Sequence, residues 1–200
     1  GEGYTSSEEE INAVINSGAD IIMLPYFKTL DEVKRFAEIV GGRVKTMLLV
    51  ETPEAVGILD EILALGIIDE YHIGLNDLSI ALGKKFMFEL LCDGTVDGIV
   101  EKFKKAGVFY GFGGIASVGR GDVHAELIIV EHYRLGSRMA ILSRSFCNVS
   151  KIKDHKLVKE VFEKGVKLIR YIESTIDENT DFDSNRAEIQ KRVKEITDKL

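Results

Sequence analysis

Short apolar runs alternate with amphipathic helical stretches through most of this chain, and that order admits few folds. The runs are "IIMLPY" (residues 21–26), "VKTMLLVE" (44–51), "EYHIGLND" (70–77), "VFYGFGG" (108–114) and "RMAILS" (138–143). Before and between them lie "SSEEEINAVINSGAD", "TLDEVKRFAEIVGG", "PEAVGILDEILAL", "VDGIVEKFKKAG" and "HAELIIVEHYRLG". Runs that are apolar throughout suit strands buried on both faces. The stretches between them have helical spacing and end signals: Ser6 or Ser7, then Thr29 or Asp31, as N-caps, Pro53 in a first turn, and Gly18 and Gly41-Gly42 as stops. Strand–helix repetition predicts an α/β fold, a parallel sheet with helical crossovers. Five strands fall short of the eight that close a barrel, so by count alone an open sheet is expected. No G-x-G-x-x-G loop joins a first strand to its helix, which argues against a dinucleotide site.

The end of the chain has a different pattern. "HKLVKEVFEKGVKLIRYIESTI" and "NRAEIQKRVKEITDKL" predict two helices joined by the charged linker "DENTDFDSN", with no strand. Residues 1–150 are therefore expected to form the β/α domain. Residues 151–200 form a helical extension that packs on it or on a second subunit. A net charge of −7 disfavours a nucleic-acid partner. No apolar run reaches the roughly 20 residues of a membrane span, and no leader precedes the first helix. Cys92 and Cys147 lack C-x-x-C spacing and read as reduced thiols of a cytoplasmic protein.

In parallel α/β proteins, ligands gather at the carboxyl ends of the strands. Here those ends carry Pro25-Tyr26, Glu51, Asn76-Asp77, Gly113-Gly114 and Ser143-Arg144. Two carboxylates ending adjacent strands serve either as an acid/base pair or as a divalent-cation site. No His or Cys neighbours either acid in sequence, which argues against zinc. Gly74 and the turn at Asn76-Asp77 offer backbone N–H groups to a carboxylate. The bland alternative is that Asp77 caps its turn and Glu51 pairs with a lysine. Of the histidines, His72 reads as core, His124 and His155 as helix starts, and His132 as structurally hydrogen-bonded; none has triad spacing. "GRGD" reads as a loop.

"LLVETPEAV", followed by "IDEYHIGLNDLSIALG" and preceded by "GADIIMLPYFKTLDEV", resembles the HpcH/HpaI aldolase and citrate lyase β-subunit family of (β/α)8 barrels. The resemblance spans about Ile11 to Phe146, with "YGFGGIASVGRGDVHAELIIVEHYRLGSRMAILSRSF" resembling a sub-branch. It implies a TIM-barrel-type fold, of which this sequence supplies the later five or so β/α units. It further implies that Glu51 and Asp77 bind Mg²⁺ or Mn²⁺, and that the turn Gly74-Leu75-Asn76-Asp77 helps hold a 2-oxo acid such as pyruvate. The expected activity is carbon–carbon cleavage through a metal-stabilised enolate. Two departures accompany the resemblance. Leu49 stands where the aldolases carry Gln. The family's substrate Arg and His/Asp dyad belong to strands earlier than any in this sequence, so the catalytic residues are not identified here, with Arg144 a candidate. An open sheet would expose its edges, so a homo-oligomer or the terminal helices are expected to cover it. The competing functions are a citryl-CoA or malyl-CoA type lyase and a non-catalytic metal- or ligand-binding relative.

Overall fold

The computed structural model describes residues 8–200. The elements run α1 (Glu8–Asn16), β1 (Ile21–Leu24), α2 (Leu30–Val40), β2 (Lys45–Val50), α3 (Pro53–Gly57), α4 (Leu59–Leu65), β3 (Glu70–Ile73), α5 (Leu75–Ala81), α6 (Glu89–Cys92), α7 (Thr95–Ala106), β4 (Phe109–Ile115), α8 (Ala125–Leu135), β5 (Met139–Leu142), α9 (His155–Ser174) and α10 (Phe182–Thr197). The strands hydrogen-bond in chain order, β1-β2-β3-β4-β5. All five expected strands are present, and the α/β reading holds. The Ser6 or Ser7 cap expected for α1 lies outside the described residues. The chain divides into two compact units, with the boundary inside β4 between Gly111 and Phe112.

In the first unit β1, β2 and β3 are parallel, with Leu24 opposite Leu48 and Leu48 opposite Tyr71. These three side chains form one row, and each is at most 2 % exposed. Tyr71 meets Phe103 of α7 with ring centroids 5.2 Å apart, so this row faces the helices. α2 buries Val33, Phe36 and Val40. Thr29, not Asp31, caps it: the Thr29 hydroxyl accepts from Glu32 N, and the Glu32 carboxylate accepts from Thr29 N. Gly41, in the left-handed region, ends it.

Two elements differ from expectation. The stretch from Pro53 to Leu65 forms two helices, with Ile58 as the joint at φ −101° and ψ 11°. The third strand stops at Ile73, so Asn76 and Asp77 lie in the first turn of α5 rather than on a strand. Gly74 is its N-cap and donates from its backbone N–H to Val50 O at 3.0 Å, so the ladder continues one residue past β3.

In the second unit Ile115, Ala125, Ile129, Phe146, Cys147 and Ile169 form the core. α9 and α10 both pack on α8. α10 buries Ile189 and Val193, and Asn185 Nδ2 donates to Leu127 O at 3.1 Å. The Phe146 ring lies over Gly165 of α9: a Cβ there would stand 2.5 Å from Cζ.

Candidate active site at the strand ends of the first unit

Glu51 follows the last residue of β2. Strand alternation puts Leu49 and Glu51 on one face with His72 and Gly74 of the neighbouring chain segment. This face is opposite to the Leu48–Tyr71 row that meets the helices. The Glu51 side chain is therefore carried to the strand end without turning into the helix layer. It is only 2 % exposed.

Gly74 makes room for it. A Cβ at position 74 would stand 2.8 Å from both Cβ and Oε2 of Glu51 and 3.3 Å from Leu49 Cδ1. The Glu51 carboxylate lies against bare backbone at the start of α5, the helix whose first turn holds Asp77.

The loop after β1 reaches the same place. Tyr26 donates from its backbone N–H to Glu51 Oε1 at 3.0 Å, and its hydroxyl lies close enough to Asp77 to feel that carboxylate. One residue on, Phe27 O accepts from the buried Thr52 hydroxyl at 2.9 Å, and that hydroxyl accepts from Ala55 N as the cap of α3. The loops after β1 and β2 are thus joined by two successive bonds, one at Glu51 and one at Thr52.

The electrostatics follow from burial beside a like charge. Burial pushes the Glu51 carboxyl up to about 7; the Tyr26 N–H opposes the rise and the Asp77 charge adds to it. The interaction of its hydroxyl with the Asp77 carboxylate, with the charges of Asp77 and Glu51, raises the Tyr26 phenol. No described lysine or arginine pairs with Glu51, so the lysine-pair alternative has no support. Asp77 does not cap α5, which has no side-chain cap. With no capping side chain, the first-turn N–H groups of Leu75, Asn76 and Asp77 have no partner within the helix.

Glu51, Gly74, Leu75, Asn76 and Asp77 thus come together in the first unit, joined by Tyr26. Arg144 lies in an exposed turn after β5, in the second unit. Among the described residues no three His, Cys, Asp or Glu side chains gather to hold a metal. A pair of carboxylates suits Mg²⁺ or Mn²⁺, which keep water and substrate oxygens in most positions. Buried anionic oxygen, a second carboxylate alongside and no cationic side chain make this donor set fit such an ion. Tyr26 was missed as a site residue in sequence, where its only signal is its place after Pro25 at a strand end.

Two histidines, His72 and His132, are buried. His72 is 2 % exposed, neither ring nitrogen has a hydrogen-bond partner among the described residues, and burial pushes it down to about 4. His132 shares a 2.7 Å hydrogen bond between Nδ1 and Ser137 Oγ and stacks on Phe112 at 3.8 Å.

No protein-family profile and no curated protein matches the sequence. Solved structures do. An HpcH/HpaI aldolase/citrate lyase family protein from Burkholderia cenocepacia aligns with a TM-score of 0.60 at 15 % identity, over 83 % of this chain and 71 % of that one. The HpcH/HpaI aldolase from Desulfitobacterium hafniense gives 0.56 at 19 %, over 82 % and 69 %. The citrate synthase SbnG gives 0.55 at 20 %, over 78 % and 68 %. No helix among the described residues is long and apolar enough to cross a membrane. The chain has the fold of the HpcH/HpaI aldolase/citrate lyase structures, the family that its strand-end motifs resemble.

Proposed function

We propose that this chain serves a divalent-metal-dependent carbon–carbon lyase reaction of the aldolase type, on a 2-oxo acid of the pyruvate class. The carrying observation is the Glu51–Asp77 pair, one acid directly after β2 and the other in the first turn of α5, the helix that follows β3. Its buried member has no cationic partner among the described residues and is pushed up to about 7. A carboxylate in that state takes either a proton or a cation. Mg²⁺ or Mn²⁺ held there supplies Lewis-acid stabilisation of the negative charge that develops when the carbon–carbon bond breaks.

The chain's own residues do the rest. Glu51 and Asp77 supply the anionic oxygens. The first-turn N–H groups of Leu75, Asn76 and Asp77 orient the substrate carboxylate, with backbone donors preorganised for negative charge. Gly74 keeps the floor of the site free of side chains, and Leu49 provides an apolar wall beside it. A homo-oligomer and a cytoplasmic setting belong to the same proposal. The structural neighbours include an HpcH/HpaI aldolase and a citrate synthase, which fits a carbon–carbon bond reaction.

The test is calorimetric titration of Mg²⁺ and Mn²⁺ into the chain and into Glu51→Gln, with pyruvate release from 4-hydroxy-2-oxo acids measured alongside. Binding is expected to be lost in Glu51→Gln; unchanged binding refutes the site. A second reading, a non-catalytic binding relative, is favoured by the apolar Leu49 where the aldolases carry Gln. It predicts metal-dependent pyruvate or oxalate binding without turnover.

A further inference from the structure

We propose that Tyr26 is a positioning residue for the Glu51–Asp77 pair: one residue, held in the left-handed backbone region, that sets the two carboxylates for a cation. The inference rests on the metal reading above and adds a residue to it.

Tyr26 has φ 52°, the one positive φ among described residues other than glycine. An aromatic residue rarely adopts that region, and the strain persists only where the surroundings over-determine it. Packing is not the compensation, because Tyr26 is 56 % exposed. The polar bonds are. The left-handed turn aims the backbone N–H at Glu51 Oε1, 3.0 Å away, and leaves the same residue's hydroxyl beside Asp77.

The loop is fixed on its far side as well. Phe27, 2 % exposed, accepts from Thr52 Oγ1, and the backbone N–H groups of Lys28 and Thr29 donate to the Glu32 carboxylate. Tyr26 therefore meets both acids from a loop that hydrogen bonds hold on its far side. Partners that orient ligating carboxylates in this way typically account for 10–100-fold in metal affinity.

The test uses Mn²⁺ with the full chain, by calorimetry and by the Mn²⁺ electron paramagnetic resonance spectrum, in wild type, Y26F, Y26G and E51Q. Urea midpoints are measured in parallel. Y26F keeps the backbone bond to Glu51 and loses the hydroxyl. Its Mn²⁺ affinity is expected to fall about 10-fold or more, with an altered bound spectrum and an unchanged urea midpoint. Y26G takes φ 52° without strain and also loses the hydroxyl. It is expected to bind as weakly as Y26F while unfolding at the same or a higher urea concentration. A merely structural tyrosine would move affinity and stability together, and that result overturns the proposal. Wild-type affinity and spectrum in Y26F overturn it too, while leaving the metal reading intact if E51Q no longer binds. Absence of Mn²⁺ binding in wild type, or its survival in E51Q, removes the metal reading and this role together.

Discussion

Replacing Gly74 by alanine tests the packing on which the site depends. The backbone at Gly74 has φ −82° and ψ 84°, so its φ is one that alanine also adopts. Reducing the freedom of the unfolded chain would by itself stabilise the protein by about 0.4–1 kcal/mol. The opposing effect is steric. The new Cβ would stand 2.8 Å from Glu51 Cβ and Oε2, about 0.6 Å inside the 3.4 Å at which ordinary contact begins. Leu49 Cδ1, at 3.3 Å, closes a third direction. Neither Glu51 atom yields easily: Cβ is fixed by the β2 backbone, and the carboxylate is tied to Tyr26 N. Overpacking of this kind costs about 1–3 kcal/mol, so the net expectation is a loss of about 1–2 kcal/mol.

Gly98→Ala is the control. Gly98 lies inside α7, and a Cβ there meets nothing within 4 Å. Helix propensity then predicts a gain of about 1 kcal/mol. Urea unfolding of both variants, with a slope of about 1–3 kcal/mol/M, should move the two midpoints in opposite directions. Gly74→Ala should also weaken Mn²⁺ binding, because the Glu51 carboxylate must shift. A Gly74→Ala midpoint at or above that of Gly98→Ala would refute the close approach of Glu51 to the α5 start.

Three further outcomes follow from the same structure. Thr52→Val leaves Phe27 O and Ala55 N without the hydroxyl they share, at a cost of about 2 kcal/mol in urea unfolding; a loss no greater than at an exposed threonine would show these bonds to be unimportant. Gly165→Ala drives a Cβ into the Phe146 ring and should cost about 1–3 kcal/mol, whereas an unchanged midpoint would mean the ring moves freely. The pH dependence separates two buried groups of opposite sense. His72, pushed down to about 4, loses stability as pH falls from about 6.5 towards 4, by about 2 kcal/mol between pH 7 and 5. Glu51, pushed up to about 7, loses stability as pH rises from about 4.5 to 7. Glu51→Gln should therefore expose a stability that falls towards acid, and His72→Leu one that falls towards neutral pH; parallel profiles for the two variants would refute the assignment.

The strands and the position of Glu51 were legible because both follow from one physical rule. An apolar run bounded by turn residues becomes a buried parallel strand, and a charge that follows it emerges at the ligand end. Asp77 was legible as a residue but not as a position. "IGLND" continues an apolar pattern, and α5 begins without a Ser, Thr, Asp or Asn side-chain cap to announce it. What stops β3 is Gly74, and the reason for glycine there lies on another strand, in the Glu51 side chain. The break at Ile58 and the single turn of α6 escaped for a similar reason, since a short helix has too little periodicity to declare itself.

Tyr26 was the least legible of all. Positive φ is the habit of glycine and asparagine, and nothing in an aromatic side chain announces it. Its conformation makes sense only after folding has brought Glu51 and Asp77 to the same loop. The carboxylates that give the site its chemistry can thus be read from strand polarity alone. The glycine and the tyrosine that bring them together are dictated by contacts across strands, which the linear order does not carry. It follows that substitutions at Gly74 and Tyr26 should separate the two levels: they leave both acids in the sequence and change only how the fold presents them. If the acids sufficed for the proposed site, such variants would match the wild type in Mn²⁺ titration; the expected outcome is weaker binding.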